Sequence, residues 1–503
     1  MNAARWFWVS LLLTSVCRVW LTVSVPITSD EAYFLLWGRA PDWGFYDHPP
    51  MVGWWLALLA QWSEALWVIR LPALLLPIAL AVGVRWVLVR WFQVSHQNAW
   101  LAGAIVLLLP MHVWNVLITT DTPLVLMTFL SMVLFARAAQ QNDWRMFVWA
   151  GVALGGAFLS KYFAVLAGVS MLVWAITTRT AGLRWLAVLL VFCAALPAGL
   201  LNLWWNVHAC WSNIMFNAIN RHEHAGLNLM TPSLYVAALL YLAAPLFWML
   251  WRERIALRAA SIANPAFRTL LLAWVVPLLI FAALAPIKKI GLHWLLSFMP
   301  ALILCAAMVL RAEQLRTVLR VFVVIALVHG LLAVAITLTP LSRWQDTRWH
   351  PRLVFLLHAE TLVQRMMQPP HVVLATDNYS ASAVLAYHAK QTVAVFGPGT
   401  SHARQDDIQT DWRKHDGRDL VIFRRELPPI EEYAPYFDTV RIEPITIEGA
   451  QFYLVHGQGF RYTAYRDGVL QFVRESWYRI PSALPIASCY FCERYFPGGP
   501  CVR

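Results

Sequence analysis

Long apolar segments, each about the length a helix needs to cross a bilayer, alternate with short polar connectors along the first two thirds of the chain. Residues 6–25 form the first and 64–89 the second. Further segments fall near 99–116, 123–138, 146–160, 162–177, 185–205, 233–251, 269–285, 294–310 and 321–338, about eleven in all. A shorter apolar stretch, 51–62, is expected to lie against the membrane surface. From about Thr339 the pattern becomes that of a water-soluble domain. There 351–368 predicts an amphipathic helix, 380–388 a second helix, and 371–376, 392–396 and 419–423 short strands. Strands alternating with helices predict a small α/β domain. The expected architecture is therefore an α-helical polytopic membrane protein, residues 1–338, followed by an extracytoplasmic α/β domain, residues 339–503.

Composition agrees. Hydrophobic residues make up 60% of the 503 and charged residues 13%, whereas soluble chains carry about 45–50% and about 25%. The formal net charge of +12 fits basic cytoplasmic loops and anionic headgroups, and no nucleic-acid-binding signature accompanies it. Arg5 before the first span favours an inside N-terminus, and no small-x-small cleavage site precedes Pro26, so the first span reads as an uncleaved anchor. With that orientation the inside loops hold arginine groups such as Arg85 and Arg90, Arg252 and Arg254, and Arg311, Arg316 and Arg320. Most acids and histidines of the membrane region fall outside, and so does the chain after Leu338. Cys17, Cys193 and Cys305 lie in apolar segments as small hydrophobes. Cys489, Cys492 and Cys501 cluster in the tail, where pairing, for example within Cys489-x-x-Cys492, requires an oxidising compartment.

The outside connector 26–50 carries the densest chemistry. Ser29 is placed to cap a helix whose first turn holds Asp30 and Glu31, and Ala32, Leu35 and Leu36 recur at helical spacing on what reads as a helix lying on the bilayer. Pro41, Gly44, Pro49 and Pro50 then fix the path of a loop rich in aromatic residues. One reading makes the acids capping charges and the aromatics an interfacial belt; the other makes the loop a built site. The acidic pair, the aromatic turn and the closing Tyr46-Asp47-His48-Pro49-Pro50 resemble the bacterial polyprenyl-phosphate-sugar glycosyltransferases. These belong to the C-type superfamily of protein O-mannosyltransferases, lipid A aminoarabinose transferases and rhizobial galacturonosyltransferases, and the resemblance covers approximately residues 6–338.

Such a transferase needs a base to take the proton of an attacking hydroxyl, and positive charge for the departing lipid phosphate. The resemblance implies Asp30 as base, with Glu31 as its alternate and inversion at the anomeric carbon. Asp121, in Thr-Thr-Asp-Thr-Pro, either caps the helix beginning at Pro123 or matches the family's second acidic motif. Lys161, in Leu-Ser-Lys-Tyr, either snorkels to headgroups or, as the family's Ser/Thr-Lys motif implies, meets the donor phosphate. His48 stands where relatives often carry lysine and contributes less charge near neutral pH. Arg221, Lys288 and Lys289 are further phosphate candidates, alternatively headgroup anchors. His222-x-His224 is a weak metal signal, and in some relatives acids matching Asp30 and Asp121 help hold a divalent metal, so metal use stays open. Trp37, Trp43, Trp54, Trp55, Trp204, Trp205 and Trp294 read mostly as belt residues, with one or two available to stack on a sugar.

The function expected is transfer of a sugar from a polyprenyl-phosphate carrier to a lipid, glycan or protein acceptor at the outer face of the bacterial inner membrane. A transporter or flippase of lipid-linked sugars is the alternative. That class calls for ionisable residues at mid-bilayer and paired broken helices, whereas the acids and lysines here sit at span ends.

Overall fold

The computed structural model describes residues 2–178, 184–222, 226–498 and 501, with the side chain of His222 outside that description. The chain divides into two compact units. One comprises Met1–Val25, Ser63–Leu201 and Ala225–Leu338; the other comprises Pro26–Trp62, Asn202–His224 and Thr339–Arg503.

In the first unit and at its edges, eight described helices are long and apolar enough to cross a membrane, from Ala3–Ser24 to Ala312–Leu338. The other three expected spans are shorter or broken. Residues 99–116 divide into His96–Leu108 and Pro110–Trp114, because Leu109 is extended (ψ 136°) ahead of a proline that cannot donate to the helix ladder. Residues 146–160 form Trp144–Ser160, and 162–177 form a single 3-10 turn leading into Val165–Thr177. Close approach of helices rests on small residues. A Cβ at Gly151 would fall 2.3 Å from the Val191 carbonyl of the neighbouring helix. Large apolar side chains such as Trp8, Leu12, Val324 and Leu331 are exposed along the helices, as lipid-facing surfaces require. The chain is a multi-pass membrane protein.

The second unit holds a five-stranded sheet of β1 (Val373–Thr376), β2 (Ala394–Val395), β3 (Leu420–Arg424), β4 (Thr439–Ile447) and β5 (Ala450–Gln458), in the order β2-β1-β3-β5-β4. β1 pairs parallel with β2 and β3, and β5 pairs antiparallel with β3 and β4. The β4–β5 hairpin was not expected from sequence. Its turn, Glu448-Gly449, has positive φ at both residues (46° and 79°), the backbone that a two-residue hairpin turn needs, and Pro444 is tolerated because β4 is an edge. The single helix expected over 351–368 is two, His350–Leu357 and Ala359–Met366, broken at His358. Helix Tyr379–Ala389 starts at Asn378, whose side chain accepts from Ala381 N–H, and ends at Lys390 in the left-handed region. Phe396 lies at the centre of the core, stacked with Tyr433 and Phe437 and tilted against Tyr465.

Disulfides join Cys210 to Cys489 and Cys492 to Cys501. Cys489-x-x-Cys492, a candidate disulfide or a spare pair by sequence, does not pair internally: Cys489 joins Cys210, on the connector 202–224, and Cys492 joins Cys501.

Candidate active site

Within the second unit, helix Ser29–Arg39 positions the acidic pair. Its N-cap is Thr28, not Ser29 as expected. Thr28 Oγ1 accepts from Glu31 N–H, while Glu31 Oε2 accepts from the Thr28 amide (3.2 Å) and hydroxyl (3.1 Å). The two acids therefore separate physically. Glu31 is fully buried in the capping box, whereas Asp30, one residue earlier, is exposed. The helix packs on Met51–Ala60 and Tyr379–Ala389 and buries Ala32 to Leu35, Trp37 and Gly38, so more than one face is covered.

The loop that follows is a packed plug. Trp37 and Phe45 stack at 4.4 Å, 7° from parallel, and both are buried. Asp42 ties the loop down by accepting from the Trp205 and Trp54 indoles, and a Cβ at Gly44 would meet the Trp205 ring at 2.4 Å. Trp37, Trp205 and Trp294 are thus packing residues, while Trp43 and Trp204 are exposed as a belt would be. Tyr46 donates its amide to Gln405. Pro49 and Pro50 are buried and lead into Met51–Ala60, and His48 lies edge-on to Phe34 and near Trp37.

Asp47 is the perturbed group of this cluster. It is buried and accepts from the Tyr33 hydroxyl at 3.0 Å. Burial pushes its carboxyl up to about 7; the Tyr33 hydrogen bond opposes the rise, the charge of Asp30 adds to it and that of Arg221 subtracts. Arg221, half-buried beside the Phe216 ring, answers to the same Asp47 charge. Tyr379 is held above the usual phenol range chiefly by burial, and the charges of Asp30 and Asp47 also reach it. Asp30, Asp47, Arg221, Tyr33 and Tyr379 therefore form one electrostatic neighbourhood. Sequence reading placed Asp47 only as loop support and did not single out Tyr33 or Tyr379; the two tyrosines meet ring to ring at 5.6 Å across 346 positions of chain.

Within the first unit, Asp121 opens helix Asp121–Gln141, whose N-cap is Thr120 without a side-chain bond. Its carboxylate does not cap the helix. Lys161 Nζ lies 3.0 Å from both of its oxygens, each side chain being 10% exposed, and His293 Nε2 lies 3.8 Å from Oδ2. Lys161 terminates helix Trp144–Ser160 in an extended conformation that turns its side chain inward. Arg18, in the middle of the first span, is buried nearby and lines the same small cavity as Asp121 and His293. Its guanidinium donates to the carbonyls of His112, Asn115 and Ala73. An arginine inside an apolar segment was the available signal, and sequence reading passed over it. Lys288 is half-buried and Lys289 exposed in the turn after helix Pro265–Leu284.

A divalent metal does not fit at Asp121, since the Lys161 ammonium already holds the position a cation would take against both oxygens. His224 and the side chain of His222 lie outside the described residues. Among the described residues, the one group of three or more ligand atoms close enough to share an ion is Cys489, Cys492 and Cys501, whose sulfurs the disulfides use.

The dolichyl-phosphate-mannose-protein mannosyltransferase family matches this chain over residues 47–205, which takes in Asp47 to Pro50, Asp121 and Lys161 but begins after Asp30. Lipid A galacturonosyltransferase RgtD of Rhizobium johnstonii is 26% identical over 230 residues, 44% of this chain and 48% of that protein; the chain therefore aligns with about half of that relative. ArnT from Cupriavidus metallidurans has the same fold. Its apo crystal structure gives a TM-score of 0.62 and its undecaprenyl-phosphate complex 0.63, at 17% identity, over 89% of this chain and 97% and 98% of theirs. Fold and spans thus define a polytopic membrane protein of ArnT-like architecture with a small C-terminal sheet domain. Over residues 47–205 the chain is similar to a mannosyltransferase family, and over part of its length to a lipid A galacturonosyltransferase.

Proposed function

We propose that this protein transfers a sugar from a polyprenyl-phosphate carrier to an acceptor hydroxyl on a lipid, glycan or protein at the periplasmic face of the inner membrane. The observation that carries the reading is the division of labour in the acidic pair: Glu31 is spent on the capping box, while Asp30 stays exposed and its charge reaches Asp47. Asp30 takes the proton of the acceptor hydroxyl. The oxygen attacks the anomeric carbon opposite the phosphate, the bond from that carbon to the phosphate oxygen breaks, and the configuration inverts. Arg221 supplies positive charge to carrier phosphate, and Lys161, in the other unit, is a separate phosphate candidate. Lys161 Nζ lies at hydrogen-bond distance from both Asp121 oxygens. His48, Lys288 and Lys289 are secondary candidates.

The disulfides support an extracytoplasmic second unit, residues 339–503 included, because such bonds persist in oxidising compartments. Buried arginines in the spans do not favour transport, since Arg18 and Arg70 are committed to backbone carbonyls.

The test is sugar release from a radiolabelled polyprenyl-phosphate-sugar by purified protein in lipid, wild type against Asp30→Asn at equal folded amount. Loss of a general base costs about 10²–10⁴-fold, so a fall of at least about 100-fold is expected. A variant that retains most of the wild-type rate removes Asp30 from the reaction.

A further inference from the structure

The second unit contains a cavity that the transfer reaction as described does not use. It has a volume of about 630 Å³ and opens at the carboxyl ends of the three parallel strands, within the range of natural ligand sites. β1 lies between β2 and β3, so the connections leaving β1 and β2 run to opposite sides of it. The crevice outside strand ends at such a reversal is where open α/β sheets bind ligands. Segments following all three strands line it: Asp377 and Tyr379 after β1, Gly397 after β2, Arg424 ending β3, and Glu431 and Tyr436 beyond.

We propose that this cavity binds the acceptor as a sugar, either neutral or carrying an amino group; the assignment rests on the transferase reading above. Partly exposed Tyr379 and Tyr436 give it aromatic faces, and Tyr433 backs the wall. Carboxylates and guanidinium groups give it planar hydrogen-bonding edges. Those edges are held in place: Arg424 contacts Asp377 at 3.2 Å and Glu432 at 2.8 Å, so little ordering is left to be done on binding. The charge balance selects among sugars. Asp377, Glu431 and Glu432 face the cavity against Arg404 and Arg424, while burial pushes the Asp406 carboxyl up to about 8 and keeps it out of the charge balance. Both arginines are already paired, Arg404 with Asp407 and Arg424 with Asp377 and Glu432. A phosphate would meet excess negative charge, whereas hydroxyls and an ammonium find acceptors.

Placement favours an acceptor role. Tyr379 lines this cavity and also an adjoining one of about 370 Å³ that is bordered by Tyr33 of the acidic helix. Its ring meets that of Tyr33, and the charge of Asp30 reaches it. A sugar seated at the strand ends is therefore offered toward the proposed base.

The test uses the full chain in lipid nanodiscs and saturation-transfer NMR, with glucose, glucosamine, N-acetylglucosamine and glucose 6-phosphate as probes. The uncharged and amino sugars should bind in the millimolar range, and glucose 6-phosphate at least tenfold more weakly. Tyr436→Ala and the isosteric Glu431→Gln, at an exposed position, should each weaken binding at least threefold; the second guards against misfolding of the first. No transfer to any probe, equal binding of the phosphorylated sugar, or binding indifferent to both variants would overturn the assignment. Donor consumption by wild type in the same discs separates the two readings. Turnover without sugar binding sinks the cavity alone, and an intact donor sinks the transferase reading and the acceptor role with it.

Discussion

Replacing Lys161 by Met removes one half of a pair whose side chains are each 10% exposed and whose atoms meet at 3.0 Å twice over. The remaining Asp121 would be a carboxylate shut away from water, with His293 at 3.8 Å as the nearest recorded ring nitrogen. Breaking a buried pair from one side costs about 3–5 kcal/mol, whereas removing both charges with shape preserved is often close to neutral. Lys161→Met should therefore lower the thermal midpoint in detergent substantially, and the double variant Asp121→Asn/Lys161→Met should recover at least half of the loss. The two singles and the double close a cycle whose coupling should be at least about 2 kcal/mol, well above the 0.5 kcal/mol scatter of independent sites. Donor use is the second readout. If Lys161 meets carrier phosphate, the double variant regains stability but not affinity for the polyprenyl-phosphate-sugar. A Lys161→Met protein that melts like wild type refutes the buried pair, and a double variant that regains donor affinity reduces the pair to a structural tie.

Asp47 makes stability pH-dependent. With its carboxyl raised from 3.8 to about 7, the folded protein keeps a proton that the unfolded chain releases. The stabilisation is complete below about pH 4 and lost as pH rises through 7, a span worth at most about 4 kcal/mol. Asp47→Asn should flatten the midpoint-versus-pH curve between pH 4 and 8 and melt higher than wild type at pH 8; an unchanged slope would place the charge elsewhere. Cys210→Ser should cost about 2–4 kcal/mol, and dithiothreitol, which also opens Cys492–Cys501, should destabilise wild type by more than the substitution does. In intact cells, a membrane-impermeant maleimide should label a Glu431→Cys variant at this exposed position, and failure to label it would contradict an outside second unit.

Periodic apolar runs made the spans legible because lipid enforces length and hydrophobicity locally. Asp30, Asp121 and Lys161 stood out because polar residues at span ends are costly. Thr28 displaced Ser29 as cap because the capping box depends on a three-residue offset to Glu31, which makes Thr28 the better match; that offset was readable and was missed. Other features depend on contacts far apart in sequence. Nothing near Asp47 announces that Tyr33 and Asn217 hold it or that burial perturbs it. Cys210 likewise carries no sign that Cys489, 279 positions later, is its partner. The β4–β5 hairpin was hidden by Pro444, which argues against a strand until the strand is known to be an edge.

The second unit is built from three separated stretches of chain, and this sets an order in time. Tyr33 OH accepts from the Gln405 amide and its ring meets Tyr379, while Gln405 also holds the Tyr46 amide. Tyr379 is synthesised 350 residues after Ser29, roughly 20–70 s later at ordinary elongation rates. During that interval the acidic helix has its capping box and the Met51–Ala60 helix but lacks Tyr379 and Gln405, while the spans between are inserted. A nascent or truncated chain therefore lacks the finished setting of Asp30, and the proposed sugar transfer would begin only once synthesis has passed the sheet.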